Sequence, residues 1–529
     1  MIPAHISTGR ELWNWRVQQS PNHPFLRFEH EEWTYAEFDE AKARYAAALA
    51  GLDVGPGVYV LVAMGNTTRA LLVHLALIQL GAVVVPLQND LAFDELRHQI
   101  NHSEAEILLA DGPVSAVLLS RAGEFRHVRR IVTDGGRAGG PEFADWESHE
   151  PLPFGPLEHH DAHSPAMVLY TSGSSGKPKG VVLDAAAFVC SGAGFATHFG
   201  FTAEDVYFLP LPLAHAVGAL TAPAMVIAAG GTLALADRFS PSAFWQQTAR
   251  SMATCSILFP AHLNLLLETE KDAPGPGEPS LRLVITHAWN ERFAARFGVE
   301  LATVWGMTET GAMATGSAPG AARDREPGYV GTPMPDVEVA VFNADGERLP
   351  AGQLGEIRLR HPHVMLGYLR DPDATAEALI DGWVVSGDLG EVRPDGAVYF
   401  LGRKKNMIKR SGENIGPGEI EDALLAHPAV VEAIAFGVAD EVRSEEVAAV
   451  VVVRSEVGPE DLLATASEHL APRKLPRYLQ LSTEYLPRRL NGKIDRSRIV
   501  EEFSPEAVDL RAARPREGRT RIGPQRQES

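Results

Sequence analysis

Cysteine is scarce: Cys190 and Cys255 are the two in a chain of 529 residues. They stand in unrelated contexts, which excludes a disulfide framework or a cysteine-rich zinc site and suits a reducing compartment. Net basic charge is also lacking. A formal charge of −20 and a pI near 5.4 argue against nucleic acid as a general partner. No long apolar run is free of charged or turn residues. The best candidates, 70–87 and 219–236, carry glycine or proline and polar breaks, and read as buried helix-plus-strand units. The N-terminal stretch MIPAHISTGRELWNW has no basic segment followed by an apolar core. No signal peptide and no membrane span are therefore expected, and the expected location is the cytoplasm.

What is present is a globular composition, 45% hydrophobic and 22% charged, in a chain too long for one ordinary core. Residues 1–32 read as an irregular lead-in with a helical stretch near 11–19. A helix over 36–51 follows, with Thr34 as its N-cap, then a strand over 58–64, a helix over 68–80 and a strand over 82–85. Strand, helix, strand in this order is the grammar of a parallel sheet. Residues 136–164 read as a surface linker. From about Gly331 short alternating runs between turns suggest an antiparallel, barrel-like β region, and from Lys405 a smaller α+β unit begins. The expected domains are 1–402, a large α/β core with two parallel-type sheets layered with helices plus the β-barrel-like part, and 403–505, a small α+β domain. The last stretch, 506–529, holds six arginines and little that is apolar, and is expected to be disordered.

The most informative segment is Leu169–Leu183, LYTSGSSGKPKGVVL. A polar, glycine-broken loop stands between two strand-like runs. Such a loop turns backbone N–H groups, hydroxyls and lysines onto one anion, and its natural ligand is a phosphate chain. It is not the common P-loop, because Gly173 and Gly176 are three apart and Pro178 follows Lys177. Farther on, Trp305-Gly306-Met307-Thr308-Glu309 presents one carboxylate after a strand, a donor suited to Mg²⁺. Ser386-Gly387-Asp388 is a turn with a single carboxylate, able to receive the paired hydroxyls of a ribose. Arg403, the basic run 404–410, Ser411-Gly412-Glu413-Asn414 and Asn491-Gly492-Lys493 complete the series.

Together these motifs resemble the adenylate-forming enzymes: acyl-CoA synthetases, peptide-synthetase adenylation domains and luciferases. Tyr170–Val181 matches their signature [YT]-[ST]-S-G-[ST]-[ST]-G-x-P-K-G-V. The resemblance covers roughly residues 10–500 and implies ATP-dependent adenylation of an acid, then transfer to the thiol of CoA. It implies ATP contacts from Thr171, Ser172, Gly173, Ser174, Ser175, Gly176, Lys179, Gly306, Met307, Thr308, Asp388 and Arg403. Trp305 stands where the family has tyrosine against adenine and keeps an aromatic face. By the same resemblance Glu309 holds Mg²⁺, Thr308 lies near the α-phosphate and Lys493 bridges carboxylate and α-phosphate. Lys405 is then the hinge, and Ser411, Gly412, Glu413 and Asn414 line the CoA tunnel.

His215, Val217, Gly218, His287, Trp289 and Met307 are the expected acid pocket, with His215 also near the chemistry as a gate. The family's glycines are replaced in LRLVITHAWN, Leu281–Asn290, by His287, Trp289 and Asn290. That favours a small acid over a long acyl chain, and the region 407–438 is similar to the carnitine/crotonobetaine-type CoA ligases, which also lack those glycines. A carrier-protein thiol or an amine as acceptor is the rival expectation, including activation of a non-carboxylate acid such as nitrite in secondary metabolism. A non-catalytic nucleotide-binding regulator is a further rival, against which Lys493, Glu309 and Asp388 stand together. A homodimer is left open.

Overall fold

The computed structural model describes all residues except 1, 90, 135–142, 172–177, 270–280, 313, 412, 441, 489–493, 504–508 and 511–529. Two compact units, Met1–Phe400 and Leu401–Ser529, divide the chain. Among the described residues no helix is long and apolar enough to cross a membrane.

In the first unit a seven-stranded sheet runs in the order Gly367–Tyr368, Lys179–Asp184, Pro165–Thr171, Val83–Pro86, Tyr59–Ala63, Ile107–Ala110, Arg130–Thr133. Its centre is parallel, and strands such as Ile107–Ala110 are buried along their whole length, as strands covered on both faces must be. The expected helices are present with their caps. Thr34 accepts from Glu37 N–H while Glu37 reaches back to Thr34, and Thr67 accepts from Ala70 N–H at 3.1 Å.

A nine-stranded sheet holds the second layer. Its order is Thr332–Pro333, Thr315–Gly316, Glu300–Trp305, Leu283–Thr286, Cys255–Ile257, Val206–Leu209, Thr232–Leu235, Pro24–Phe28, Glu31–Thr34. The last two strands correct the irregular lead-in expected for residues 1–32. They form a hairpin whose turn contains Glu29 with φ of 53°, and no glycine or asparagine announced that left-handed position. Phe25 anchors it, with ring centroids 4.8 Å from Trp13 and 4.9 Å from Tyr35. The linker expected at 136–164 is likewise pinned where it is described. Phe143 and Trp146 are buried in a short helix, Phe143–Ser148, and Trp146 meets Tyr45 edge-on at 5.5 Å.

The β region is antiparallel, in the order Glu338–Phe342, Leu354–Arg360, Trp383–Val392, Leu379–Ile380. The second unit is an α+β layer. Strands Glu413–Ile415, Ile408–Arg410, Ser444–Val453 and Val430–Asp440 lie in that order, with Tyr478–Ser482 parallel to Ser444–Val453. Helices Pro417–Leu425 and Pro459–Ser467 contribute Ile420, Leu424 and Leu462 to its core. Of the stretch 506–529, Asp509 and Leu510 are described, and Asp509 is paired with Arg477 at 2.9 Å. The remainder of the expected disordered tail lies outside the described residues.

Helices Ala185–His198 and Ala222–Ala229 pack at Gly192, where an added Cβ would lie 2.4 Å from the carbonyl oxygen of Ala224. Gly192→Ala is expected to destabilise the first unit by about 1–3 kcal/mol. Urea unfolding followed by tryptophan fluorescence checks this, and an unchanged midpoint would mean that the two helices separate without cost.

Candidate active site

Four neighbouring strands of the nine-stranded sheet, Val206–Leu209, Cys255–Ile257, Leu283–Thr286 and Glu300–Trp305, run parallel. Their carboxyl ends therefore fall on one edge, where open α/β sheets bind ligands. The segments leaving that edge carry His215, Phe259, His287 and the Trp305–Glu309 run. Phe259 gathers three imidazoles. Its ring centroid is 5.4 Å from His215, 5.5 Å from His262 and 5.4 Å from His287. Val217 N–H donates to Nδ1 of His215 and Phe259 N–H to Nδ1 of His262, both at 3.2 Å. In each neutral ring the proton then sits on Nε2, a donor.

Gly218 lies in the π-helical turn Val217–Thr221, with the position of a Cβ 2.2 Å from the carbonyl oxygen of Pro212. The backbone therefore folds tightly behind His215, and a π turn is a frequent mark of a working site. Trp289 does not join the ring group. Its indole N–H donates to Glu291 at 2.9 Å, and the Arg325 guanidinium lies over its ring at 5.4 Å.

Trp305 and Asp388 meet. The indole Nε1–H donates to Asp388 Oδ2 at 2.9 Å, with Trp305 7% and Asp388 3% exposed. Asp388 reaches this position through a register shift. Ile357 pairs with Asp388 but Arg358 with Val385, so Ser386 and Gly387 form a bulge, and Gly387 takes φ of 71°. Ser386 Oγ then accepts from Asp388 N–H at 3.0 Å and donates to the carbonyl of Ile357.

After Trp305 the backbone passes close to itself. A Cβ on Gly306 would lie 2.5 Å from the Ala312 carbonyl oxygen, so glycine is required there. Met307 and Thr308 are half-buried, and Thr308–Thr310 forms one 3₁₀ turn with Glu309 buried. The Tyr368 hydroxyl donates to Glu309 Oε1 at 2.8 Å, and Lys179 Nζ stands 4.8 Å from the centroid of the Tyr368 ring. The loop 361–365 clamps the same turn from outside. Met365 N–H donates to the Glu309 carbonyl at 2.8 Å. His361 Nε2 bonds the Thr310 carbonyl at 3.0 Å, and burial pushes the imidazole of His361 down.

Thr171 and Lys179 face each other as the last pair of the antiparallel strands Pro165–Thr171 and Lys179–Asp184. Ser172, Gly173, Ser174, Ser175 and Gly176 between them lie outside the described residues, as do Gly412 and Lys493. Arg403 and Lys405 belong to the second unit. Both are exposed, and Lys405 is the middle residue of the turn Lys404–Asn406. Ser411 is exposed with φ of 53°, and the backbone of Glu413 and Asn414 pairs with Arg410 and Lys409. Sequence reasoning missed Phe259, His262, His361 and Tyr368. The glycine-tyrosine pair 367–368 after an apolar run was the one available signal for Tyr368.

Trp305→Phe keeps a ring face but removes the donor to a buried carboxylate. On the expectation that Asp388 receives the ATP ribose, the ATP KM in pyrophosphate release rises about tenfold, from the loss of one charge-assisted hydrogen bond. An unchanged KM would show that Asp388 is held without the indole.

The chain matches known proteins over most of its length. Residues 13–369 match the family model of the AMP-binding enzymes, and residues 419–493 match that of the AMP-binding enzyme C-terminal domain. The chain is 34% identical to sulfoacetate–CoA ligase of Cupriavidus necator over 86% of its own length and 89% of that protein. It is 30% identical to crotonobetaine/carnitine–CoA ligase of Salmonella arizonae, over 88% of this chain and 92% of that one. The ATP-bound structure of MatB from Rhodopseudomonas palustris superposes with a TM-score of 0.82 at 27% identity, covering 93% and 98% of the two chains. With its large α/β unit, its small second unit and both family models matched in order, the chain belongs to the AMP-binding, adenylate-forming enzymes and is an AMP-forming acid–CoA ligase in type.

Proposed function

We propose that this protein adenylates a small acid that carries a second anionic group, and then passes the acyl group to CoA. The observation that carries the reading is the gathering of His215, His262 and His287 on Phe259, beside the Trp305–Glu309 run. Imidazole N–H donors recognise an oxyanion, whereas a long apolar chain would leave them without a partner. The two relatives differ on this point. Sulfoacetate has a sulfonate at its far end, whereas crotonobetaine has a quaternary ammonium, which three imidazoles do not favour.

In the first step a carboxylate oxygen attacks the α-phosphorus of ATP and the bond to pyrophosphate breaks, leaving acyl-AMP. The chain supplies position and charge. Asp388 receives the ribose hydroxyls, the Trp305 ring faces the adenine, and Thr171, Lys179 and the loop between them hold the phosphates. Thr308 stands by the α-phosphate. Glu309 is a hard oxygen donor oriented by Tyr368, a fit for Mg²⁺, and a bound Mg²⁺ would neutralise phosphate charge there. Lys493 bridges the two anions as they meet, which favours the transition state over the ground state. In the second step the CoA sulfur attacks the acyl carbonyl, AMP leaves, and the thiol proton is lost to solvent. Rotation about Lys405 exchanges the two poses and brings Ser411–Asn414 to the pantetheine arm.

Purified enzyme with ATP, Mg²⁺ and a pool of short-chain, aryl, betaine-type and two-anion acids, with and without CoA, tests the reading by mass spectrometry. The expected outcome is an acyl-CoA mass from a two-anion acid only when CoA is present. AMP release indifferent to CoA would move the acceptor elsewhere, and a betaine product would overturn the anion reading. His287→Ala is expected to raise the KM of that acid by about 10-fold or more while leaving the KM of ATP unchanged.

Lys493→Ala is expected to cut adenylation by roughly 100-fold or more while sparing thioester formation from supplied acyl-AMP. Lys405→Pro is expected to do the reverse, since proline fixes φ at the turn. Single-turnover assays of each half-reaction separate the two, and equal losses in both variants would refute the two-pose scheme.

A further inference from the structure

We propose that His163, Asp184 and His363 form a second metal site, apart from Glu309, that takes one Zn²⁺ or a similar transition-metal ion. None of the three has a part in the adenylation chemistry. They come from three segments of the first unit. His163 precedes the strand Pro165–Thr171, Asp184 ends the strand Lys179–Asp184, and His363 lies in the loop before Gly367–Tyr368.

Their donor atoms converge. His363 Nδ1 is 2.8 Å and His163 Nδ1 3.6 Å from the same Asp184 Oδ2, and one ligand atom from each of the three residues lies within 4.8 Å of the others. The two imidazole rings are nearly parallel, at 24° with centroids 5.4 Å apart. A tetrahedral ion with bonds of about 2.0–2.1 Å sets its ligands about 3.3 Å apart, between the two measured separations. The Asp184 side chain is 1% exposed, and its other oxygen accepts the Ala187 N–H at 2.9 Å. That bond is the N-cap of helix Ala185–His198, and it orients the carboxylate so that Oδ2 is the oxygen offered.

Two imidazoles and one carboxylate are a borderline set, which suits Zn²⁺, Co²⁺ or Ni²⁺ and not Mg²⁺. Three protein ligands leave a fourth position for water, in keeping with His163 at 70% side-chain exposure. The place of the site in the fold gives it a consequence. His363 lies between His361 and Met365, which hold the carbonyls of Thr310 and Glu309, and Asp184 closes the strand that begins at Lys179. An ion here ties the clamp on the Glu309 turn to the strand that carries Lys179. It acts as a staple and touches no reacting atom.

The test uses the full chain without a polyhistidine tag, stripped with chelator and titrated with ZnSO₄ by calorimetry, and with Co²⁺ by visible absorption. The expected result is one equivalent of Zn²⁺ per chain, a Co²⁺ ligand-field band, and a Zn²⁺-dependent rise in Tm. His163→Ala, an exposed change, should weaken Zn²⁺ at least tenfold and abolish the rise in Tm. Asp184→Asn should do the same while keeping the helix cap, because asparagine caps as well as aspartate. His98→Ala, which breaks the separate stacked pair with His102, should leave the isotherm unchanged. The proposal is overturned if wild type takes up no stoichiometric Zn²⁺, or if uptake survives His163→Ala and Asp184→Asn.

Discussion

A carboxylate cannot be buried without a partner, and the architecture of the first unit turns on how Asp388 is satisfied. An unpaired ion at 3% exposure would cost several kcal/mol or shed its charge. The Trp305 indole N–H meets part of that requirement, at Oδ2, from the end of a strand in another sheet. One hydrogen bond thus joins the nine-stranded sheet to the antiparallel sheet, and it fixes the bulge at Ser386-Gly387 that aims Asp388. A tyrosine at position 305 has no ring N–H to place there. The tryptophan therefore combines two properties in one side chain: a flat face and a donor on its edge.

The remaining groups fall into place through strand direction. Because Val206–Leu209, Cys255–Ile257, Leu283–Thr286 and Glu300–Trp305 are parallel neighbours, the residues that follow them are neighbours too, although His215 and Glu309 are far apart in the chain. An antiparallel order would send alternate connections to the opposite edge. The ring group on Phe259 and the turn at Glu309 follow from this one fact, and the glycines at 218 and 306 mark two places where the backbone passes close to itself to use it.

Much of the fold was legible because local chemistry and tertiary packing agree. Thr34 caps its helix, the apolar run at 58–64 contains a strand, and a helix over Thr68–Gln79 leads into the buried strand Val83–Pro86, all as the residues read. The failures share a cause. The hairpin at 24–34 turns on Glu29 in a left-handed conformation that carries no sequence signature, and its strands expose Glu31 and Glu32 on a sheet edge. Phe143 and Trp146 lie in a stretch whose polar composition hid two anchors. The phosphate-loop, Glu309 and Asp388 motifs were legible as motifs, but their mutual placement was not. Trp305 and Asp388 are 83 residues apart, and nothing in either motif names the other.

Tyr368 carries this lesson furthest. It is one residue of a two-residue strand, Gly367–Tyr368, held in register by Val181 and Val182. That pairing lays its ring beside Lys179 and its hydroxyl on Glu309. The cation, the ring and the carboxylate form a short chain from the end of the phosphate hairpin to the metal-suited acid. A lysine drawn to a π face is held without being neutralised, so its charge stays available to an anion. A carboxylate that accepts one phenolic hydrogen bond keeps its second oxygen for a cation. Tyr368 touches both groups through a ring face and a hydroxyl and adds no charge of its own between them. An ion pair between Lys179 and Glu309 would instead have cancelled the two charges that their proposed roles toward nucleotide and metal need.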